Sequence, residues 1–192
     1  LAMKVKKLEE DLKEEQEEDI SSQQELQHQA DMYHSRGILM AGFDDELECP
    51  YLENLDVDDF RNKRLYFPLR KEVTVIGRHA DVRPLTFSVT NKHCTFRKNG
   101  NKILLVGGLG KTYHNGSKIN VNEEVEVKPF DRIVMGDLMT MLRWHNNEEK
   151  TIVPMTAEAA FAEFHPIESA SKRTRMRHAS SKNIVASTLS AD

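Results

Sequence analysis

Cysteine is nearly absent from this 192-residue chain: Cys49 and Cys94 are the only two, far apart and in no metal-ligand spacing. That excludes a disulfide-stapled scaffold and a structural zinc site, and a reduced intracellular compartment is the simplest reading. Long apolar runs are missing too. No stretch approaches the ~20 residues of a membrane-spanning helix, and no signal peptide is visible. Positive charge is not in excess: 27 Lys and Arg face 31 Asp and Glu, for a net charge of -4. No global affinity for nucleic acid follows. Aromatic residues are 7%, hydrophobic residues 39% and charged residues 30%. This is too polar for one compact core over the whole length, so tails are expected. The chain starts at Leu1 rather than Met and reads as a piece of something longer.

What is present divides into regions. Leu1, Val5, Leu8 and Leu12 alternate spacings of four and three, the a/d seam of a coiled coil. The seam then meets Glu15, Asp19 and Ser22 and recovers only at Leu26. Nine acids and one lysine lie between Glu9 and Glu25. Residues 1–30 therefore read as an acidic helix. It is either a solvated linker helix, the end of a longer coiled coil, or a short helix that docks on a partner. Fewer than two heptads support only a weak homodimer, because short helices are marginal in water. Residues 31–48 read as a flexible connector with some docking capacity.

From Cys49 to about residue 145 the texture changes. Short β-rich runs recur with turn signals between them and no helix-period segment intervenes. Strands are expected over Arg64–Leu69, Val73–Ile76, Leu85–Val89, His93–Arg97, Ile103–Val106, Tyr113–His114, Ser117–Ile119, Val125–Val127, Arg132–Met135 and Met139–Trp144. Many short strands at close spacing predict a β-sandwich. Ile76, Phe87, Val89, Phe96, Leu104, Val106, Ile133, Val134 and Leu142 are its core candidates. Residues 146–192 lose this pattern. Thr156 could cap a short helix running to Phe164. Beyond Pro166 the chain is Ser-rich, and Ser171 to Asn183 carries five Lys or Arg and no acid. This reads as a disordered basic tail in which Ser180 and Ser181, behind clustered arginines, are candidates for phosphorylation.

One stretch invites a catalytic reading. Gly107-Gly108-Leu109-Gly110-Lys111-Thr112 follows a strand and ends like a phosphate-binding loop. The first glycine of that pattern would fall at 105, which is Leu105. Asn115-Gly116 then signals a turn where a helix should run. The nucleotide-loop reading fails, so these glycines serve loop geometry. His93 has no nucleophile and carboxylate beside it, and Cys94 should point to the opposite face of the strand. No cluster has metal-ligand spacing, no cofactor is expected, and an enzyme is poorly supported.

The segments "VIGRHADV", "VTNKHCTF", "KTYHNGSKI" and "DRIVMGD" together resemble the forkhead-associated (FHA) domain. Gly77-Arg78 matches that family's Gly-Arg. Thr90-Asn91-Lys92-His93 matches its Ser-x-x-His with Thr for Ser, and Asn115-Gly116 its second Asn-Gly. The family's first Asn-Gly falls on Gly110-Lys111, where the Asn is absent. The surroundings, "CPYLENLDVDDFRNKRLYFPLRKEVTVIGR" above all, resemble the FHA domain of kinesin-3 motors, which follows an acidic coiled-coil segment. Pro50-Tyr51-Leu52-Glu53-Asn54-Leu55 would open the domain, over residues 49–145. The motor domain is absent, so any ATPase would belong to missing sequence.

The resemblance implies an FHA-type β-sandwich of about ten or eleven short strands that binds phosphothreonine peptides or other protein partners. It implies Arg78 and the Thr90 hydroxyl as phosphate contacts, with Asn91, Lys92 and Lys111 in the partner-binding set; Asn115 is expected to shape the turn or tie it to the neighbouring loop, with direct partner contact as the lesser alternative. Gly77, His93 and Gly116 would support the loops. His79 and His114 are expected at the surface. A structural salt bridge from Arg78 to an acid such as Asp81 is the competing reading. Gly110→Asn is expected to strengthen phosphothreonine binding, provided the loop tolerates a side chain. Two functions remain open. One is a non-catalytic interaction module of a kinesin-3-like motor, cytoplasmic and cytoskeletal, that binds a cargo adaptor or regulates dimerisation and autoinhibition and meets microtubules through the missing motor. The other is a stand-alone phosphothreonine reader in a signalling protein.

Overall fold

The computed structural model describes residues 2–43, 47–144 and 153–164. The acidic segment forms one helix, α1 (Ala2–His34). Residues 16–29 are exposed all round, as their polar sequence requires. The helix ends where the chain needs a left-handed residue. Gly37 has φ +73, its N–H bonds to the carbonyl of His34, and the Ile38 N–H bonds to that of Tyr33. This pair of bonds is the Schellman stop, which glycine permits without a steric cost.

Eleven strands follow in two antiparallel sheets: β1 (Leu39–Met40), β2 (Tyr51–Asn54), β3 (Leu65–Pro68), β4 (Val73–Ile76), β5 (Cys94–Asn99), β6 (Lys102–Gly107), β7 (Thr112–His114), β8 (Ser117–Ile119), β9 (Glu124–Val127), β10 (Arg132–Met135) and β11 (Leu138–Arg143). The larger sheet has the order β1-β3-β2-β11-β10-β7-β8, and the smaller β4-β5-β6-β9. The core between them is apolar, with Leu52, Phe67, Ile76, Phe96, Leu105 and Ile133 all but fully enclosed. The β7–β8 hairpin turns on Asn115-Gly116, both at positive φ (46 and 78). Two residues of that hand match the twist of the flanking strands.

The sandwich and the strand count are as expected, and four details differ. The expected connector is partly built into the fold: Ile38, Leu39 and Met40 are buried, and β1 pairs with β3. The strand expected over Leu85–Val89 is a loop, because the Thr86 and Ser88 hydroxyls both donate to the Asp137 carboxylate and leave the Phe87 side chain in solvent. In β6 the alternation runs one residue out of step with the expectation. Ile103 and Leu105 face the core, and Leu104 and Val106 are half-buried. β2 was not expected as a strand. It lies between β3 and β11 and is buried at every position, so it shows no alternation.

The larger sheet has a second apolar layer on its outer face. Residues 157–164 form a short helix, α2, started by Thr156, whose hydroxyl accepts from the Ala159 N–H at 3.3 Å. Ala157 and Ala160 seal against Leu55, Phe130, Val134, Met139 and Met141. Glu163 takes Arg132 in a two-pronged ion pair at 2.7 and 2.8 Å. The tail is therefore not uniformly loose after the sandwich, while residues 165–192, with Ser180 and Ser181, lie outside the described residues.

Candidate functional site

Three loops gather at one end of the sandwich. They join β4 to β5 (77–93), β6 to β7 (108–111) and β10 to β11 (136–137). The first begins where β4 stops. Gly77 is glycine by necessity: a Cβ there would collide with the backbone carbonyls of Thr90 and Asn91. That close approach lets the loop close on itself, with the Arg78 N–H bonding to the Thr90 carbonyl at 3.0 Å and the His79 N–H to the Asn91 carbonyl at 3.2 Å.

His93 joins the loops. Its ring is fully buried. Nδ1 accepts from the Thr90 N–H at 3.2 Å, which leaves the ring proton on Nε2 to donate to the Lys111 carbonyl at 3.1 Å. The same carbonyl accepts from the Gly136 N–H at 3.0 Å, so all three loops meet on two residues. Burial pushes the His93 pKa below its ordinary value, against the opposing pull of the Lys111 carbonyl. The ring is a neutral strut. Gly108 and Gly110 pack against it, the first on the His93 carbonyl and the second on the ring face, and neither position has room for a Cβ.

Around this strut the surface is cationic. Arg78, Lys92 and Lys111 are exposed, as is Asn91. The Arg78 guanidinium donates to the Phe87 carbonyl. The acid expected to compete for it, Asp81, is taken by Lys71 and the Val75 N–H instead, and these two contacts hold its carboxyl below the usual range despite partial burial. The Thr90 hydroxyl is the only buried side-chain polar atom among the described residues with no hydrogen-bond partner. Arg78, Thr90, Asn91, Lys92 and Lys111 are thus brought to one end, on a frame of Gly77 and His93.

Asn115 and Gly116 are not there. They sit at the far end of β7, and the Asn115 amide is already used. Its Nδ2 donates to Asp131 at 2.8 Å and its Oδ1 accepts the Arg132 N–H at 2.9 Å. Of the two roles expected for Asn115, these bonds support turn fixing over partner contact. His114, expected at the surface, is half-buried and bonds Asp131 at 2.7 Å. Burial would raise the Asp131 pKa, but His114, the Lys128 N–H and Asn115 together outweigh it and hold it low. Cys94 is sealed in the core, where burial pushes its thiol up to about 12. Among the described residues no group of three His, Cys, Asp or Glu could hold a metal, and no helix is long and apolar enough to cross a membrane.

The sequence reading missed Thr86, Ser88 and Asp137, whose bonds pin the first loop to the β10–β11 turn. They lie 49 and 51 residues apart along the chain, and no local pattern joins them.

Residues 74–136 match the family model of the FHA domain. The sandwich carries an FHA domain. The strands of the two sheets run beyond that match, from Leu39 to Arg143. The mouse kinesin-like protein KIF14 is 30% identical over 93 residues, which cover 45% of this chain and 5% of that protein. The chain thus spans a small fraction of the relative's length. Among solved structures, an FHA domain studied for phosphothreonine-dependent interactions is 25% identical, covers 50% of this chain and 97% of its own, and has a TM-score of 0.43. The FHA domain of CT664 from Chlamydia trachomatis is 17% identical with a TM-score of 0.44, covering 50% of this chain and 98% of its own. The yeast Dun1 FHA domain, solved with a doubly phosphorylated peptide, is 23% identical with a TM-score of 0.41, covering 52% and 77%.

Proposed function

We propose that this FHA domain is a non-catalytic interaction module that captures a phosphothreonine segment of a partner protein. The observation that carries this is the Thr90 hydroxyl, buried and without a partner, in a loop flanked by Arg78, Lys92 and Lys111. An orphaned buried hydroxyl costs about 1–3 kcal/mol, and a phosphate oxygen would satisfy it. Arg78 supplies a planar fork suited to a phosphate, and Lys92 and Lys111 add point charges. None of the three cations is paired with a carboxylate among the described residues. The family match supports the same assignment of Arg78 and Thr90. The test titrates the full chain with paired phosphorylated and unphosphorylated threonine peptides. Phosphate-dependent binding, weakened at least tenfold by Arg78→Ala and by Thr90→Val, is expected; equal binding of both peptide forms removes the proposal.

A second, wider reading concerns the parent protein. The 30% identity to a kinesin-like protein over 93 residues supports a place in a kinesin-like motor. There the module would recruit a cargo adaptor or regulate the motor, in a cytoskeletal setting and with microtubules met through a separate domain. A motor domain with a complete phosphate loop elsewhere in the gene product is the expected finding; its absence leaves the stand-alone phosphothreonine reader.

A further inference from the structure

Arg78 is exposed, and its guanidinium donates to the Phe87 carbonyl. A free arginine side chain samples many rotamers and loses that freedom on binding. A carbonyl that restrains it must itself be fixed. The Phe87 side chain cannot fix it, being 95% exposed. Nor does a ladder: among the described residues, no backbone-to-backbone hydrogen bond involves residues 84–89. The restraint comes from the β10–β11 turn. The Thr86 and Ser88 hydroxyls, on either side of Phe87, donate to the same Asp137 carboxylate oxygen, the first at 2.7 Å. The Asp137 N–H returns a bond to the Ser88 hydroxyl at 3.0 Å. A Cβ on Gly136 would collide with the Ser88 side chain, so turn and loop are in direct contact.

We infer that Asp137 is a positioning residue for phosphate capture: through Thr86 and Ser88 it fixes the Phe87 carbonyl, and that carbonyl aims the Arg78 guanidinium. This rests on the phosphothreonine reading and names a residue that serves the same site without touching the ligand. The arrangement solves a problem of charge. A carboxylate paired directly with Arg78 would neutralise the positive charge that a phosphate needs. A neutral carbonyl occupies part of the fork and leaves the charge and the remaining N–H groups to the ligand. The Asp137 carboxylate is kept from such pairing by the two hydroxyls that bond it. The same turn reaches the other cationic loop, since the Gly136 N–H bonds the Lys111 carbonyl at 3.0 Å. An Arg78 already aimed gives up less freedom when the phosphate arrives, and binding is tighter for it.

The experiment uses the full chain and two readouts. The first needs no ligand: the heteronuclear NOE of the Arg78 Nε–Hε group, which reports motion on the picosecond-to-nanosecond scale. The second is affinity for a pool of phosphothreonine peptides with degenerate flanks, against the same pool without phosphate. The variants are Asp137→Ala, Thr86→Val, which keeps the shape and removes the hydroxyl, and Thr86→Ser, which keeps the hydroxyl. Thermal melting confirms the fold of each, and Thr86→Val carries the test if Asp137→Ala does not fold. Asp137→Ala and Thr86→Val are expected to lower the Arg78 NOE and to weaken phosphopeptide binding about three- to tenfold, the worth of one immobilised side chain. Thr86→Ser should retain both. The loss should vanish in an Arg78→Ala background and persist in a Lys92→Ala background, because the coupling runs to Arg78 alone. An Arg78 NOE that does not change, or an equal loss with and without Arg78, overturns the inference and leaves the phosphothreonine reading standing. If no phosphopeptide binds, or both pools bind alike, the underlying reading fails and takes the inference with it.

Discussion

Gly110 shows how a missing side chain can be a packing requirement. Read from sequence, it is a lost peptide contact that Gly110→Asn should restore. In the fold its Cα rests on the His93 ring, and a Cβ would overlap Nδ1, Cε1 and Cγ. The condition set for that gain, a loop that tolerates a side chain, is not met. Gly110→Asn should instead destabilise the chain by about 1–3 kcal/mol, the usual cost of overpacking, as a lowered urea midpoint will report. Phosphopeptide binding should weaken with it. His93 itself makes a pH prediction. Its folded pKa lies below the unfolded 6.5, so below that pH the unfolded chain binds the extra proton. Stability is then fully present above about pH 6.5 and falls as the pH drops below it. His93→Gln should flatten that part of the stability-pH curve, measured by urea unfolding between pH 5 and 8 in about half-unit steps.

At the scale of the element, α2 covers the outer face of the larger sheet. An eight-residue helix has no stability alone in water. It persists because Ala157 and Ala160 seal five apolar side chains and Glu163 meets Arg132. Glu163→Gln leaves Arg132, half-buried, without its carboxylate, and should cost about 1–2 kcal/mol. Ala160→Glu should do more, by forcing a charge into the seal, and should raise binding of a hydrophobic dye to the exposed face. The β-strands show which sequence signals could be read. β4, β5, β7, β8 and β10 lie within a residue or two of where alternation and turn residues put them. β2 was illegible because both its faces are covered, and covered strands do not alternate. Leu85–Val89 alternated like a strand but had no ladder to join, since its hydroxyls bond Asp137 far along the chain. In the site, Gly77-Arg78 and Thr90 to His93 were legible because the family's spacing is local. The exposure of Phe87 was not, because apolarity in a strand-like run reads as core whatever direction the loop later takes.

For the molecule as a whole, acid should be the weak flank. Asp81, Asp131 and Asp137 all keep folded pKa values below the ordinary 3.8. Depressed carboxyls contribute stability that is present above the unfolded pKa and lost as the pH falls through the folded one. The three hold together the β4 edge, the β7–β8 turn and the loop cluster respectively. A melting temperature that drops steeply below about pH 4, and a smaller drop in Asp131→Asn, are the expected results of a calorimetric series. The junction of α1 with the sandwich has a mechanical consequence. With 33 residues, α1 is about 50 Å long at 1.5 Å per residue. The turn that ends it is moored by the Arg83 N–H on the Arg36 carbonyl, the Arg83 guanidinium on the Ser35 carbonyl, and the Gly37 backbone wedged on Asp81. A sideways pull at the far end is therefore multiplied by leverage at a fastening only a few residues wide. Arg83 lies in the same loop as Arg78 and Thr90, so a strain that opens this fastening is delivered to that loop as well as to β1, which begins at Leu39.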